Sequence, residues 1–361
     1  MSTPRLEIDL DKIHHNARTL VEQLGRRGIA VTAVTKATLG SPEIAQQLVR
    51  AGVAGLGDSR IENIEAMRRA RIPATMTLVR SPMLSQVRRV VDHADVSCNT
   101  EVTVLRALAG AARAAGRVHG VVLMVELGDL REGILPADLD DVVREVLDLP
   151  GLVLTGIGTN LACQNGIAPD PANMAELSRL ASTIETTFGI SLDVVSGGNS
   201  ANLDWALGGA ELGRVDDLRL GEAILLGRET LRRDPVPGLA TDAITLVAEV
   251  IESKVKPSKP WGTVGLTAFG AAPAIVDRGD RRRAILAVGH QDTDPAGLTP
   301  GPGFEIVGAS SDHLVVDAGR APITVGDELT FQLDYSALTR AMASPFVAKV
   351  IRVSSGIASH P

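Results

Sequence analysis

The sequence predicts an α/β protein, with an eight-stranded (β/α) TIM-like barrel followed by an all-β domain. Between residues 30 and 225, short apolar runs rich in β-branched residues alternate with longer amphipathic stretches, as parallel strands joined by helices do. Beyond Gly238 the helical stretches give way to β-rich runs separated by glycine and proline. These two sequence patterns predict two domains.

The barrel prediction rests on the number of apolar runs in the first segment. The stretches between them carry apolar residues three and four positions apart, and Ser41–Pro42 is typical of a helix start. Eight strands alternating with helices favour a closed parallel barrel. An open doubly wound sheet stays possible, although the sequence contains no dinucleotide fingerprint. The eight runs are 31–36, 53–58, 75–79, 95–99, 121–126, 152–158, 192–197 and 217–221.

The second domain is predicted from five further runs. The stretch "RRDPVPGLA" precedes them and carries two prolines and a glycine, which is typical of a linker. We therefore expect a barrel over 1–236 and a β domain over 237–361. The five runs are 242–252, 282–290, 313–319, 327–333 and 346–353.

Composition excludes several classes of function. The net charge of -7 is spread along the chain, unlike the basic footprint of a nucleic-acid binder. Two cysteines without a CxxC spacing indicate a reducing, cytoplasmic location and neither a disulfide framework nor a zinc ribbon. No apolar segment has the length of a signal peptide core or a membrane span. We expect a small-molecule partner, no membrane, no nucleic acid and no metal.

Three features mark the predicted barrel mouth, where the loops after parallel strands converge. Lys36 ends the first run, where an apolar environment would lower its pKa and favour a Schiff-base amine. The turn "SGGNSAN" after the seventh run offers backbone N–H groups to an anion, and Arg219 with Gly221 ends the eighth. Taken singly, these are a solvated lysine, a simple turn and a structural ion pair. Together they predict a site for a phosphorylated aldehyde.

These segments resemble those of a known family. "AVTKA", "GTNLAC", "SGGNSAN" and "RLGEAILLG", in this order and followed by a β domain, resemble the alanine racemase family of fold-type III pyridoxal 5'-phosphate enzymes. "GDSRIENI", "RSPMLS" and "MVELGDLREGI" bring the chain closest to the ornithine racemase-like branch. The resemblance implies a homodimer with shared active sites that interconverts the L and D enantiomers of an amino acid, with a basic one such as ornithine favoured.

The resemblance also implies roles for individual residues. Lys36 would hold the cofactor and act as acid and base on one face of the substrate. Arg219 would face the pyridine nitrogen, and Asn160 would lie against the ring. Arg131 would lie near the cofactor's phenolic oxygen or bind the substrate carboxylate. Ser200, Gly221 and the backbone at Glu222 would hold the phosphate, with Asn199 beside Ser200, while Ser196 and Gly198 belong to the turn predicted above as an anion site.

Arg219 bears on the reaction. The related decarboxylases carry an acidic residue at this position, which keeps the pyridine nitrogen protonated. An arginine is not deprotonated in a protein, so it leaves that nitrogen unprotonated and favours prompt return of a proton to the substrate, which is racemisation. A lyase or aldolase of the same fold type stays open, and so does a non-catalytic carrier of the cofactor. A non-catalytic carrier would not need the second domain, so this domain argues against that alternative.

The chain departs from the family pattern at the second acid/base. Leu266 stands where alanine racemases place a tyrosine, so another group has to serve. His290 aligns with a position at the site entrance and either carries this proton or only lines the mouth. Asp312 and His313 match a loop that reaches the neighbouring subunit's site. There Asp312 either pairs with a distal ammonium or is a turn aspartate. Cys163 is either a buried small side chain or a group of the mouth.

Overall fold

A computed structural model describes residues 4–267, 269–270, 272 and 276–352. The chain divides into two compact units. The barrel unit is Leu10–Ala240, and the β unit combines Met1–Asp9 with Thr241–Pro361.

The first strand, β1 (Arg5–Asp9), belongs to the β unit. It pairs antiparallel with residues 244–247 and parallel with residues 348–352. The division expected from the sequence, 1–236 and 237–361, placed this strand with the barrel. The difference arises because the partners of β1 lie more than two hundred residues away, where no local pattern records them.

The barrel unit contains a closed ring of eight parallel strands. Each strand pairs with the next, and the last pairs with the first through Ala30↔Asp217 and Thr32↔Arg219. The prediction of a closed barrel is therefore confirmed, and the open sheet is excluded. The strands are β2 (Ala30–Val34), β3 (Gly55–Asp58), β4 (Met76–Leu78), β5 (Val96–Asn99), β6 (His119–Met124), β7 (Leu152–Gly158), β8 (Val194–Ser196) and β9 (Asp217–Leu220).

Helices accompany these strands, as the amphipathic stretches predict. Ser41 caps the second helix by accepting the Ile44 N–H at 3.4 Å, and Pro42 follows it, so the predicted helix start is confirmed. The helices are α1 (Leu10–Gly25), α2 (Pro42–Arg50), α3 (Ile61–Arg69), α4 (Val87–His93), α5 (Val102–Ala114), α6 (Leu139–Leu147), α7 (Pro171–Phe188), α8 (Leu203–Leu207) and α9 (Glu222–Leu226).

The β unit is a sheet in which the long strand β10 (Ile244–Pro257) pairs antiparallel with β1 and with two later strands. Its core includes Leu6, Leu246 and Phe331, all fully buried. The predicted β domain is confirmed, and the unit also contains helix α10 (Tyr335–Ala343), which Asp334 caps. The later strands are β10 (Ile244–Pro257), β11 (Asp280–Leu286), β12 (Leu298–Pro300), β13 (Glu305–Ala309), β14 (Leu314–Asp317), β15 (Glu328–Leu333) and β16 (Ala348–Arg352).

The five predicted runs of this unit correspond to β10, β11, β14, β15 and β16. Residue 353, the last of the fifth run, lies outside the described residues. Among the described helices, none is long and apolar enough to cross a membrane.

Strand β7 approaches its neighbour β8 so closely that it needs glycine at position 156. A Cβ there would lie 1.9 Å from the Val194 carbonyl oxygen. We expect Gly156→Ala to lower the free energy of unfolding of the barrel unit by about 3 kcal/mol, because strand spacing cannot relax on one side only. Gly110→Ala is the matched control. Nothing lies within 4 Å of its Cβ position on helix α5, so it should stabilise by about 0.5–1 kcal/mol.

Urea denaturation of the two variants beside the parent protein checks this prediction. Equal stability of Gly156→Ala and the parent would contradict the close approach of the two strands.

Candidate active site

Lys36 lies at the barrel mouth, just after strand β2. The strand ends at Val34 rather than at Lys36, which instead opens a 3₁₀ turn, Lys36–Thr38. Solvent reaches the side chain from the mouth, yet the surrounding protein desolvates the amine, and this lowers the pKa of Lys36 below its ordinary value of 10.5. A lowered pKa enlarges the neutral, nucleophilic fraction of the amine. This is the environment that the sequence predicts, and the role of Lys36 stays a prediction.

A buried carboxylate that the sequence analysis missed supports the turn of Lys36. Asp58, at the end of β3, has no exposed surface and accepts hydrogen bonds from the Thr35 hydroxyl at 2.7 Å and the Asn63 amide at 3.0 Å. Asn63 also packs on the turn, where a Cβ at Gly40 would lie 2.7 Å from the Asn63 Cβ. Asp58 and Asn63 therefore fix the backbone that presents Lys36.

Arg219 is the centre of a buried polar chain across β7, β8 and β9. Its guanidinium donates to the Ser196 hydroxyl and, at 2.7 Å, to the Thr159 carbonyl oxygen. Ser196 in turn donates to Asp217 at 2.5 Å, and Asp217 also accepts from Thr32 at 2.7 Å. The Asp217 carboxylate thus balances the charge of Arg219 through the Ser196 hydroxyl and not through a direct ion pair. The ion-pair alternative for Arg219 finds no support among the described residues.

The predicted anion turn follows β8 and is built for close approach. Gly198 has a φ of 140°, and a Cβ there would lie 2.3 Å from the Asn202 side-chain oxygen. The Asn202 amide ties back to the Gly197 carbonyl oxygen at 2.9 Å. Ser200, which is buried, accepts the Ala223 N–H at 3.2 Å. The turn after β8 is thereby joined to the segment after β9.

Gly221 and Glu222 lie on the segment that follows β9. A Cβ at Gly221 would lie 3.2 Å from the Val34 carbonyl oxygen, so glycine again permits backbone to pass closely. The Glu222 carboxylate lies 3.5 Å from the Arg233 guanidinium. This pairing leaves the backbone of Glu222 as the group expected to face a ligand, in line with the family pattern.

Asn160 and Asn199, predicted from separate motifs, contact each other directly. The Asn199 amide donates to the Asn160 side-chain oxygen at 3.1 Å and to the Leu161 carbonyl oxygen at 2.8 Å. The Asn160 amide faces the Cys163 sulfur at 3.0 Å, and the Asn199 amide lies 3.5 Å from the same atom. Cys163 is exposed, so its interpretation as a buried small side chain was wrong.

A second buried carboxylate, Asp129, pins the loop that carries Cys163. It is 1% exposed and accepts the backbone N–H groups of Cys163, Gln164, Asn165 and Ile167 at 3.1, 2.8, 3.1 and 3.4 Å. Burial alone would raise the pKa of Asp129, but these four donors outweigh it and lower the pKa. Sequence analysis missed Asp129 because a loop aspartate has no spacing that marks its distant partners.

Arg131 lies on the same loop as Asp129. Its guanidinium forms a two-pronged pair with the neighbouring Glu132 carboxylate, which raises the pKa of Arg131. Gly133, which follows Glu132, has a φ of 158° and lies against the Glu126 backbone. Arg131 is therefore held at the mouth by a partner that the sequence analysis did not consider.

The three residues predicted for the β unit, His290, Asp312 and His313, lie in two loops of that unit that a backbone hydrogen bond joins. The His290 N–H donates to the Ser310 carbonyl oxygen at 3.0 Å, and its ring packs on Phe269 with ring centres 4.2 Å apart. His313 contacts the Asp312 carboxylate at 2.8 Å, and this hydrogen bond lowers the pKa of Asp312. The described residues contain no group of three or more side chains suited to hold a metal ion.

The structure thus gathers the predicted residues into two sets. The barrel-unit set consists of Lys36, Arg131, Asn160, Ser196, Gly198, Asn199, Ser200, Arg219, Gly221 and Glu222, all in loops or strand ends of one mouth or of the buried chain beneath it. The β-unit set consists of His290, Asp312 and His313.

Comparison with known proteins gives a consistent picture. Residues 8–229 match the family described as alanine racemase, N-terminal domain. The chain is 39% identical over 352 residues to an ornithine racemase of Acetoanaerobium sticklandii, covering 96% of this chain and 99% of that protein. It is 40% identical over 357 residues to a lysine racemase of Thermotoga maritima, covering 98% of this chain and 100% of that protein.

The fold is also similar to that of solved structures. An alanine racemase from Streptomyces lavendulae superimposes with a TM-score of 0.75 at 22% identity, and 99% of each chain is covered. This likeness concerns the architecture, a parallel barrel with a second β unit, and agrees with the fold expected from the sequence.

The Asp129 carboxylate makes a testable contribution to the loop of Cys163. Asp129→Asn turns an amide N–H₂ toward backbone donors, so we expect the free energy of unfolding to fall by about 2 kcal/mol. We also expect faster hydrogen exchange over residues 163–167. Because the folded state lowers the pKa of Asp129, its contribution is complete above the ordinary value of 3.8. It is lost as pH falls through the lowered value, so the variant and the parent should converge in acid.

Hydrogen exchange read by mass spectrometry, with denaturation at several pH values, measures both effects. Asp140→Asn is the control, since Asp140 is exposed on helix α6. Unchanged exchange over 163–167 in Asp129→Asn would show that the carboxylate does not hold this loop.

Proposed function

This chain belongs to the alanine racemase family, and from this premise we propose that it is a racemase that interconverts the L and D enantiomers of a basic amino acid. The observation that carries the proposal is identity of about 40% to an ornithine racemase and a lysine racemase over nearly the full length of all three chains. Both matches extend over the two units of this chain.

The substrate class follows from what those two relatives act on. Ornithine and lysine share an α-amino acid head and a side chain that ends in an amine. A carboxylate suits such an ammonium group, and we propose that Asp312, predicted for this role, supplies it. Its lowered pKa, caused first by the contact with His313, keeps it ionised. Asp312 and His313 would then be the residues that select a basic side chain.

We propose pyridoxal 5'-phosphate as the cofactor, and the residues of the mouth fit it. A Cβ would clash at position 198 and be tightly packed at position 221, so glycine lets backbone approach a phosphate there, next to Ser200 and Asn199. Lys36 supplies the amine that holds an aldehyde. The cofactor, when bound, would draw off the electrons left on the substrate carbon after loss of its proton.

Arg219 presents only donors to a heteroatom in front of it, because a guanidinium has no acceptor and keeps its proton. Its contacts with Ser196 and Thr159 fix the guanidinium from behind. A ring nitrogen facing Arg219 would stay unprotonated. We therefore propose that Arg219 limits side reactions and favours return of a proton, which is the step that a racemase needs.

Lys36 is the proposed proton carrier on one face of the substrate. Desolvation lowers the pKa of its amine, which favours the neutral amine that can take up an α-proton and release it again. A racemase also needs a carrier on the opposite face. Leu266 cannot ionise, and His290 stays the prediction for that role from the family alignment.

We further propose that the protein works as a homodimer whose subunits share active sites. Large apolar side chains lie exposed in one segment of the β unit, namely Trp261, Val264, Leu266 and Phe269 at 86, 50, 72 and 56% exposure. Such a surface is typical of one that another chain covers. The cytoplasmic location stays a prediction from cysteine use.

Lys36→Ala should remove both cofactor attachment and racemisation. We expect the visible absorbance that borohydride bleaches in the parent holoenzyme to be absent in the variant. Conversion of L-ornithine, L-lysine or their mirror images should fall by at least about 1,000-fold, because no other amine replaces Lys36. Absorbance spectra and chiral chromatography of single enantiomers measure the two effects.

Lys254→Ala is the matched control, since Lys254 pairs with Glu252 on the surface of the β unit. Parent holoenzyme that racemises neither basic nor small amino acids would refute the proposed function. Cleavage of β-hydroxy amino acids instead would favour a lyase, and bound cofactor without any turnover would favour a carrier.

Ser196→Ala tests the chain behind Arg219. The guanidinium would keep the Thr159 carbonyl oxygen but lose the hydroxyl that links it to Asp217. We expect racemisation to fall about tenfold, or about 1.4 kcal/mol in the barrier, while cofactor still binds. Ser182→Ala, on the exposed side of helix α7, should leave the rate unchanged. A parent-like rate in Ser196→Ala would mean that Arg219 needs no support from this side.

A further inference from the structure

The second proton carrier can be sought among the groups of the barrel mouth itself. The need for this carrier rests on the proposed function, because only a racemase needs carriers on both faces of its substrate. Four charged or ionisable side chains act electrostatically on the Lys36 amine, and Cys163 is the strongest of them. The others are Arg131, Asp58 and Glu132.

Three of these four groups are unsuited to carry a proton to substrate. Arg131 keeps its proton. Asp58 is fully buried, and its carboxylate is engaged by Thr35, Asn63 and the backbone at Arg60. Both oxygens of Glu132 are held by Arg131.

Cys163 differs from these groups, because it is exposed at the mouth and carries a thiol, which can both give and take a proton. It also acts on both cations of the mouth, since its charge raises the pKa of Lys36 against the stronger effect of desolvation. It likewise raises the pKa of Arg131, after the larger contribution of Glu132. Lys36, Arg131 and Cys163 follow barrel strands β2, β6 and β7, so the sulfur belongs to the same mouth as both cations.

Strand order places Cys163 across that space from Lys36. Lys36 follows β2 and Cys163 follows β7, which are three steps apart around a closed ring of eight strands. Four steps would be diametrically opposite. The two side chains thus enter the mouth from well-separated sides. Two groups that act on opposite faces of one carbon have to be placed in this way.

Several hydrogen bonds fix the loop of Cys163 and the position of its sulfur. Asp129 anchors the Cys163 N–H at 3.1 Å, and the preceding residue, Ala162, has a φ of 58°, which is uncommon for a residue with a Cβ. The side-chain amides of Asn160 and Asn199 face the sulfur at 3.0 and 3.5 Å. Donors thus surround the atom on which negative charge forms when the thiol gives up its proton. Backbone held in an uncommon conformation is frequent at functional sites.

We propose that Cys163 is the second acid/base of the racemase, opposite Lys36. In one direction the Lys36 Nζ takes the α-proton and the Cys163 thiol gives its proton to the other face of the same carbon, which leaves an ammonium and a thiolate. In the reverse direction the thiolate takes the α-proton and the ammonium returns one. No oxidant or further reactant enters, and exchange with water resets the pair.

The decisive experiment follows the α-hydrogen of single enantiomers in D₂O by NMR. In Cys163→Ala and Cys163→Ser holoenzyme we expect racemisation to fall by at least about 100-fold. The enantiomer whose α-proton faces Lys36 should still exchange it for deuterium, with retention of configuration and within about tenfold of the parent rate. The other enantiomer should exchange slowly. Cys163→Ser keeps the size of the side chain, which separates proton transfer from packing.

Cys98→Ala is the control, because Cys98 is buried in the barrel and burial raises its pKa to about 11. It should racemise like the parent. A second readout does not depend on turnover. In the cofactor-free protein, iodoacetamide should alkylate Cys163 and spare Cys98, and Lys36→Ala should slow alkylation by at least about threefold at neutral pH through loss of the neighbouring positive charge.

Several results would overturn the assignment. Racemisation by Cys163→Ala within about threefold of the parent rate would do so, and so would equal loss of exchange for both enantiomers in a variant that keeps its visible absorbance. If His290→Ala, and not Cys163→Ala, uncouples exchange from racemisation, the histidine is the second carrier. Parent enzyme that racemises no substrate would refute the proposed function itself, and the role of Cys163 with it.

Discussion

Closure of the barrel between its last and first strands is the constraint on which the candidate site depends. Lys36 follows the first barrel strand and Arg219 lies on the last, so in an open sheet of eight strands they would be about 34 Å apart, at spacings of ~4.8 Å. Pairing of Thr32 with Arg219 across the seam brings them to one mouth. The Thr32 hydroxyl also donates to Asp217 across this seam, so this last link of the hydrogen-bond chain that supports Arg219 forms only in the closed ring.

The sequence predicted the elements that a local hydrophobic pattern marks. It missed the elements that depend on pairing between distant segments. Apolar runs gave all eight barrel strands to within a few residues, because parallel strands buried on both faces are nearly continuous in hydrophobicity. Closure could only be favoured, since the seam joins residues almost two hundred positions apart. Strand β1 was missed for the same reason, because "RLEID" is short, half polar and pairs with both β10 and β16. Helix α10 was missed inside a stretch that looked uniformly β-rich.

The candidate site was predictable where residue type is unusual for its position. A lysine after a buried strand, paired glycines and an arginine on a strand stand out, and the structure places Lys36 and Arg219 at one barrel mouth. Asp58 and Asp129 were not predictable, because an aspartate after a strand or in a loop is ordinary. Their importance lies in partners such as the backbone of Cys163, thirty-four positions from Asp129. Supporting groups of this kind are defined by contact, and spacing along the chain does not mark them.

Two buried carboxylates, Asp58 and Asp217, also explain how the positive charges of Lys36 and Arg219 are balanced without an acid beside either group that would compete with a ligand. Asp58 lies behind Lys36, and Asp217 lies behind Arg219 through a serine hydroxyl. Each carboxylate is buried and its oxygens are occupied by hydroxyl, amide or backbone donors, so it lowers the local positive potential without offering an acceptor to solvent. Burying a charge is costly unless it is hydrogen-bonded, and the donors meet that requirement here. The mouth therefore presents mainly donors, which suits the phosphate and carboxylate groups that the proposed reaction brings to it.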